Sequence, residues 1–195
     1  MQQSQANTHR LDTILRVTGW GGAITLLLLP LIAMQFTDEV NWTPGDFLAA
    51  ALLLGATGVA VEAFFRKSPN WIYRIAGGIA AGSGLLLVWS VLAVGIIGAE
   101  SEPVNLLFAA VFVVLVGGAV IVRLDADGMA RTLIAAAVVQ AIITGIALTV
   151  GYGSETGHAL IEVLGANGVF ILAFLLSAGL FRIAARAQNN FLNAD

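Results

Sequence analysis

Long apolar stretches alternate with short polar segments along the whole chain. The clearest stretch covers residues 75–98, is twenty-four residues long and carries no charged side chain. As a helix it would measure about 36 Å, which is enough to cross a hydrocarbon core of about 30 Å. The same pattern predicts five further spans, at about 17–36, 44–66, 103–123, 129–150 and 156–186. We therefore predict an all-α, polytopic membrane protein with six transmembrane helices arranged as three hairpins.

The composition supports this prediction. Hydrophobic residues make up 58% of the 195 residues and charged residues 11%, and the mean hydropathy is +0.91. Such values lie outside the range of ordinary soluble domains. Because the apolar residues are spread over the whole length, we predict one transmembrane domain at 17–186, preceded by a cytoplasmic segment at 1–16 and followed by a cytoplasmic tail at 187–195.

The charged residues are distributed unevenly between the predicted loops. All nine basic residues fall in segments on one side of the predicted membrane: Arg10, Arg16, Arg66, Lys67, Arg74, Arg123, Arg131, Arg182 and Arg186. The opposite loops contain acidic residues and no Lys or Arg: Asp38, Glu39, Asp46, Glu100, Glu102 and Glu155. Cytoplasmic loops carry an excess of Lys and Arg. The charge distribution therefore predicts that both termini are cytoplasmic.

The spans are also spaced regularly. Arg16, Arg74 and Arg131 open the first, third and fifth spans, about 57 residues apart. The segment LAVGIIGAE at 92–100 aligns with LTVGYGSE at 148–155 after one gap. A threefold duplicated hairpin would produce this pattern. Any six-span protein with even loops would produce similar spacing, so both explanations stay open.

Ionisable residues inside the spans are the first candidates for chemistry, because each is costly to bury in lipid. Glu62 lies one turn before Arg66, and an ion pair between them near the interface is the ordinary explanation. Glu162 follows His158 by one turn near the outer end of the sixth span. This pair is either a proton or cation contact, or a solvated pair at a helix N-terminus.

Neutral polar residues also occur at depth. Gln140 and Asn167 are predicted near the middle of the membrane on the two helices of the last hairpin. A hydrogen bond between them is the simplest interpretation. A pathway for a polar solute would use the same residue types, so all four residues, His158, Glu162, Gln140 and Asn167, are candidate pathway or ion contacts.

Glycines are frequent in the spans, and Gly78 and Gly82 have the spacing of close-packed membrane helices. They predict a helix-packing surface, either within the protein or with a partner. No cysteine is present, and the sequence contains no Ser-His-Asp order, HExxH motif or P-loop. We therefore predict no catalytic residue, cofactor, metal site or nucleic-acid partner.

The segment WSVLAVGIIGAESEPVN at 89–105 resembles a Trp-to-Asn segment that joins two spans in a group of small bacterial multi-pass membrane proteins. The resemblance implies a location in the bacterial cytoplasmic (inner) membrane and supports six spans. It implies no activity and no functional residue. The leading hypothesis is a non-enzymatic accessory or structural subunit that packs with itself or with a membrane complex. The alternative is a transporter or channel for a small solute or cation.

Overall fold

A computed structural model describes residues 2–98, 102–152 and 157–192, with side chains for 13–14, 16–98, 102–152 and 159–188. The described chain is helical, and a 3₁₀ turn at Pro103–Leu107 leads directly into the fourth helix. The helices are α1 Gln2–Ala33, α2 Pro44–Lys67, α3 Trp71–Ala93, α4 Phe108–Ile121, α5 Ala126–Val150 and α6 Gly157–Leu192. Six helical segments are long and apolar enough to cross a membrane. The predicted all-α fold with six membrane-spanning helices is confirmed.

Side chains of the loop residues fix several helix starts. A capping box starts α2: the backbone N–H of Thr43 donates to Asp46 Oδ2 at 2.7 Å, and the N–H of Asp46 donates to Thr43 Oγ1 at 3.3 Å. Asn70 caps α3 by accepting from the N–H of Ile72 at 2.9 Å. Asp125 caps α5 in the same way. These contacts satisfy backbone donors that have no partner inside the helix.

The chain divides into two compact units, Met1–Ala63 and Phe64–Asp195. The boundary falls inside α2, so the first unit contains α1 and most of α2, and the second contains α3 to α6. The second unit holds almost all of the buried side chains. It therefore contains the core and the candidate sites.

The first unit has little interior of its own. Of its described side chains only Ala50 is buried. The indole of Trp20 lies over Gly58, where a Cβ atom would come within 3.0 Å of the ring. Arg16 Nη2 lies 3.2 Å from Glu62 Oε1, which links α1 to α2. The sequence predicted Arg66 as a partner of Glu62, and that pair stays a prediction beside the contact with Arg16.

In the second unit α5 and α6 form the most extensive contact, α3 packs on α6, and α4 packs on α5. The contact between α3 and α4 is slight by comparison. The main packing partners of α3 and α4 are therefore α6 and α5, and the arrangement as three hairpins stays a prediction. Small residues explain the close approach of α5, because five alanines are buried along it: Ala126, Ala130, Ala136, Ala137 and Ala147.

Two polar contacts join helices at a distance in sequence. Ser177 Oγ of α6 donates to the carbonyl oxygen of Ala76 of α3 at 2.8 Å. The phenol of Tyr73 donates to the carbonyl oxygen of Leu124, in the turn after α4. The rings of Tyr73 and Phe181 meet edge to face with centroids 5.1 Å apart. These contacts fix the positions of α3 and α6, and so of the loop that follows α3.

Candidate functional site

A cleft of about 800 Å³ opens at one end of the second unit, and we call it the end cleft. It lies between the loop after α3, the end of α5 and the first turns of α6. Its walls combine apolar and acidic side chains, among them Val94, Ile96, Glu102, Tyr152, Glu162 and Val163. This is the end of the unit where the sequence predicts acidic loops.

Asn105 holds the loop that forms one wall of the end cleft. Its side chain is only 2% exposed. Oδ1 accepts from the backbone N–H groups of Ile96 and Ile97, each at 3.1 Å, and Nδ2 donates to the carbonyl oxygen of Ile97 at 3.2 Å. Gly95 and Gly98 have φ angles of 80° and 65°, a conformation that favours glycine. The loop therefore folds back, and the hydrogen bonds of Asn105 hold it against the 3₁₀ turn that leads into α4.

A second contact joins two residues that line the end cleft, Tyr152 and Glu102. The phenol of Tyr152, just after α5, donates a hydrogen bond of 2.8 Å to Glu102 Oε2. This hydrogen bond and the negative charge of Glu102 raise the pKa of Tyr152, because both favour the protonated phenol. The contact joins the loop before α4 to the loop after α5. The sequence did not predict the hydrogen bonds of Tyr152 or Asn105. For Asn105, the one available signal was a polar residue two positions after Pro103 at the start of an apolar run.

Glu162 lies on α6 and lines the end cleft with an exposed side chain. His158 lies in α6, but its side chain is outside the described residues, so the predicted pair of His158 and Glu162 stays a prediction. Glu100 and Glu155 also lie outside the described residues. Among the residues that the structure describes, no three His, Asp or Glu side chains converge as metal ligands would.

The structure brings Gln140 and Asn167 together between α5 and α6, and both side chains are fully buried. Gln140 Nε2 donates to Asn167 Oδ1 at 2.9 Å, and Asn167 Nδ2 donates to the carbonyl oxygen of Val163 at 2.8 Å. The carbonyl of Val163 can only accept, so it fixes the orientation of both amides. Gln140 Oε1 is then left buried without a hydrogen-bond partner.

Comparisons with protein families, curated proteins and solved structures give no match. The candidate sites are therefore interpreted from their own geometry. The end cleft and the amide pair belong to the same unit and are connected through Val163, which lines the cleft and accepts from Asn167.

The glycines of α3 differ sharply in their surroundings. A Cβ atom on Gly77 would overlap the ring of Phe64. No heavy atom lies within 4 Å of the Cβ position at Gly78 or Gly82, and both residues are half-buried. Gly77 thus packs inside the unit, as does the buried Gly84, whose Cβ position lies 3.9 Å from Leu115 Cδ1. The pair with the close-packing spacing lies on a different face of the helix.

Proposed function

We propose that the protein is a non-enzymatic accessory or structural subunit of the membrane, which packs against another transmembrane helix through the face of α3 that contains Gly78 and Gly82. The observation that carries this proposal is the absence of any heavy atom within 4 Å of the Cβ positions of these two glycines. A glycine inside a helix costs about 0.5–1 kcal/mol relative to alanine. Packing inside the second unit does not explain that cost at either position.

The surroundings of the two glycines support the same proposal. The neighbouring side chains on this side of α3 are apolar and exposed, namely those of Ile75 and Leu86. Glycines four residues apart make a shallow groove in which a second helix can approach closely. Bilayer lipid fills the groove less well than a fitted helix does, because dispersion attraction depends on close contact.

Co-purification tests this proposal. The full-length protein, tagged at its C-terminus, is extracted from native membranes in mild detergent, and the proteins that accompany it are identified by mass spectrometry. The same experiment is done with the double variant Gly78→Leu/Gly82→Leu. Gly145→Leu is the matched control, because no heavy atom lies within 4 Å of its Cβ position either, and it lies on α5.

The expected result is a stoichiometric partner, either a second copy or another subunit, that the double variant loses and Gly145→Leu keeps. The variants must retain the monodisperse elution of the wild-type chain, which shows that they fold. Retention of the same partners by a folded Gly78→Leu/Gly82→Leu protein would overturn the proposal.

We also propose that the protein lies in a bacterial cytoplasmic membrane with both termini in the cytoplasm. The resemblance of segment 89–105 supports the location. The distribution of basic and acidic residues between alternate loops supports the orientation.

A second candidate function is transport of a small solute or cation. The end cleft favours it, because the cleft reaches Val163, whose carbonyl oxygen accepts from Asn167 Nδ2, and Asn167 in turn accepts from Gln140. Flux of protons, alkali cations and small neutral solutes into reconstituted vesicles tests this candidate. Flux that Asn167→Leu reduces, in a protein that still folds, would support it. Vesicles without flux of any of these solutes would exclude transport of them.

A further inference from the structure

We propose that the end cleft binds a small organic ammonium ion, with the carboxylates of Glu102 and Glu162 next to the nitrogen and the apolar wall next to the carbon atoms. The site is independent of the glycine face of α3. If the protein is a transporter, as the second candidate function holds, an organic ammonium ion would be its class of substrate. Binding of the ion does not by itself require transport.

The size and lining of the end cleft fit an organic ligand. Its volume of about 800 Å³ falls within the range of about 300–1,000 Å³ of small-molecule sites. Apolar side chains from three elements form much of the wall: Val94 and Ile96 after α3, Val150 at the end of α5, and Val163 on α6. Such a wall provides dispersion contacts for a hydrocarbon body.

The charged side chains that line the end cleft favour a cationic ligand over an anionic one. Its two ionisable acids are Glu102 and Glu162, and no Lys, Arg or His occurs among its described lining residues. Glu102 uses one oxygen to accept from Tyr152, which leaves its other oxygen for a ligand. A carboxylate forms charge-assisted hydrogen bonds with an N–H donor. Among the described lining residues, an anion would face two like charges and no Lys or Arg.

The buried amide pair lies behind one wall of the cleft, and neither of its residues lines the cleft. Asn167 lies four residues after the lining residue Val163 and one residue after Ala166, which places it about one helical turn from the cleft. The group without a partner in this pair is an oxygen, Gln140 Oε1. This oxygen is buried, so the acceptors that the cleft itself presents to a ligand with N–H donors are the carboxylates of Glu102 and Glu162.

An organic ammonium ion fits these groups better than a metal ion does. Ca²⁺ and Mg²⁺ require about six or more oxygen ligands at fixed distances. Within the described part of the chain, no cluster of three potential ligands exists at the cleft or elsewhere. An ammonium ion needs only two or three acceptors, and its carbon atoms gain from the apolar wall.

Calorimetric titration of the full-length protein in an uncharged detergent tests the proposal. The probe is 2-phenylethylammonium, and the uncharged 2-phenylethanol is the matched comparison of similar shape. The wild-type protein should bind the ammonium saturably, and Glu162→Gln should weaken binding by roughly tenfold or more, because it removes one charge-assisted contact. Ala166→Phe should weaken binding with both carboxylates in place, because it narrows the cleft beside Glu162.

Glu39→Gln is the charge-matched control. Glu39 is an exposed carboxylate of the first unit and does not line the end cleft. It should leave the affinity unchanged. Equal binding of 2-phenylethanol, or wild-type affinity in both Glu162→Gln and Ala166→Phe, would overturn the proposal.

The ammonium group could belong to a free solute or to a lipid headgroup, and a second arm separates these sources. The protein is purified with phosphatidylethanolamine or with phosphatidylglycerol, and retained lipid is measured by native mass spectrometry. Retention of phosphatidylethanolamine that Glu162→Gln abolishes, without binding of the free ammonium, would assign the site to a headgroup. Binding of neither ligand would overturn the proposal.

Discussion

Gln140 and Asn167 meet across α5 and α6, and Nε2 of Gln140 donates a hydrogen bond of 2.9 Å to Oδ1 of Asn167. The pair is unequal, because Asn167 also donates to Val163 whereas Gln140 Oε1 has no partner. Removing either residue therefore leaves a different number of buried polar atoms unsatisfied.

The first prediction concerns the different numbers of unsatisfied polar atoms that the two substitutions leave. Asn167→Leu leaves both amide atoms of Gln140 without partners and should reduce the free energy of unfolding by about 1–3 kcal/mol. Gln140→Leu removes the unpartnered oxygen together with the donor and should cost about 1 kcal/mol or less. Reversible unfolding of both variants and of the double variant measures these differences. A larger cost for Gln140→Leu would contradict the assigned amide orientations.

The second prediction concerns the loop after α3. Asn105→Ala removes the acceptor of the buried N–H groups of Ile96 and Ile97. The expected cost is about 2–6 kcal/mol, because two buried donors left without a partner cost about 1–3 kcal/mol each. Asn70→Ala, at the exposed cap of α3, is the control and should cost about 1 kcal/mol. Amide hydrogen exchange of Ile96 and Ile97 should accelerate in Asn105→Ala alone.

The third prediction concerns pH. The hydrogen bond to Glu102 raises the pKa of Tyr152 above its ordinary value of about 10. The stabilisation from this contact is therefore complete below about pH 10 and is lost as the pH rises through the pKa of the folded state. The chain has two tyrosines, so the difference in ultraviolet absorbance between the wild type and Tyr152→Phe gives the titration of Tyr152. Glu102→Gln should lower that pKa, and an unchanged pKa would contradict the contact.

The fourth prediction compares two adjacent glycines of α3. Gly77→Ala places a methyl group against the ring of Phe64 and should destabilise the protein by about 1–3 kcal/mol. Gly78→Ala meets no atom within 4 Å and should stabilise the helix by about 0.5–1 kcal/mol. Thermal unfolding of the two single variants in the same detergent measures the difference. Equal changes in stability for the two variants would contradict the structure, in which the rotation of α3 about its axis turns Gly77 and not Gly78 toward Phe64.

The fifth prediction concerns the proposed orientation. The chain has no cysteine, so single cysteines report accessibility directly. In intact cells, a membrane-impermeant maleimide should label Asp38→Cys, whereas Asp127→Cys should react only after permeabilisation. Both native residues are exposed. The opposite labelling pattern would reverse the proposed orientation.

Local sequence signals predicted the helices well, because each depends on residues close together in the chain. The apolar stretches predicted six spans, and the described residues contain six helices that are long and apolar enough to cross a membrane. The start of α2 is equally local, because Thr43 and Asp46 cap it through hydrogen bonds between residues three positions apart. The pairing of Gln140 with Asn167 followed from depth alone, because a buried amide in a membrane needs a partner on a neighbouring helix.

Contacts between distant residues were harder to predict. Tyr152 reaches Glu102 across fifty positions, and Arg16 reaches Glu62 across forty-six. Gly77 and Gly78 are neighbours in sequence, yet only Gly77 touches Phe64. Successive residues of a helix point about 100° apart, so the rotation of α3 about its axis decides which glycine packs. No pattern along the chain specifies that rotation.

The amino-acid sequence by itself determined the all-helical fold and the number of membrane-spanning helices, because hydrocarbon length and backbone hydrogen bonding leave few alternatives. Only the tertiary structure decided that α3 packs on α6 and α4 on α5, that Asn105 folds the loop back, and that this loop and α6 enclose the end cleft. Those features depend on the fit of side chains between helices, and lipid-facing and packed residues are equally apolar. Hydropathy therefore cannot distinguish them, whereas packing does.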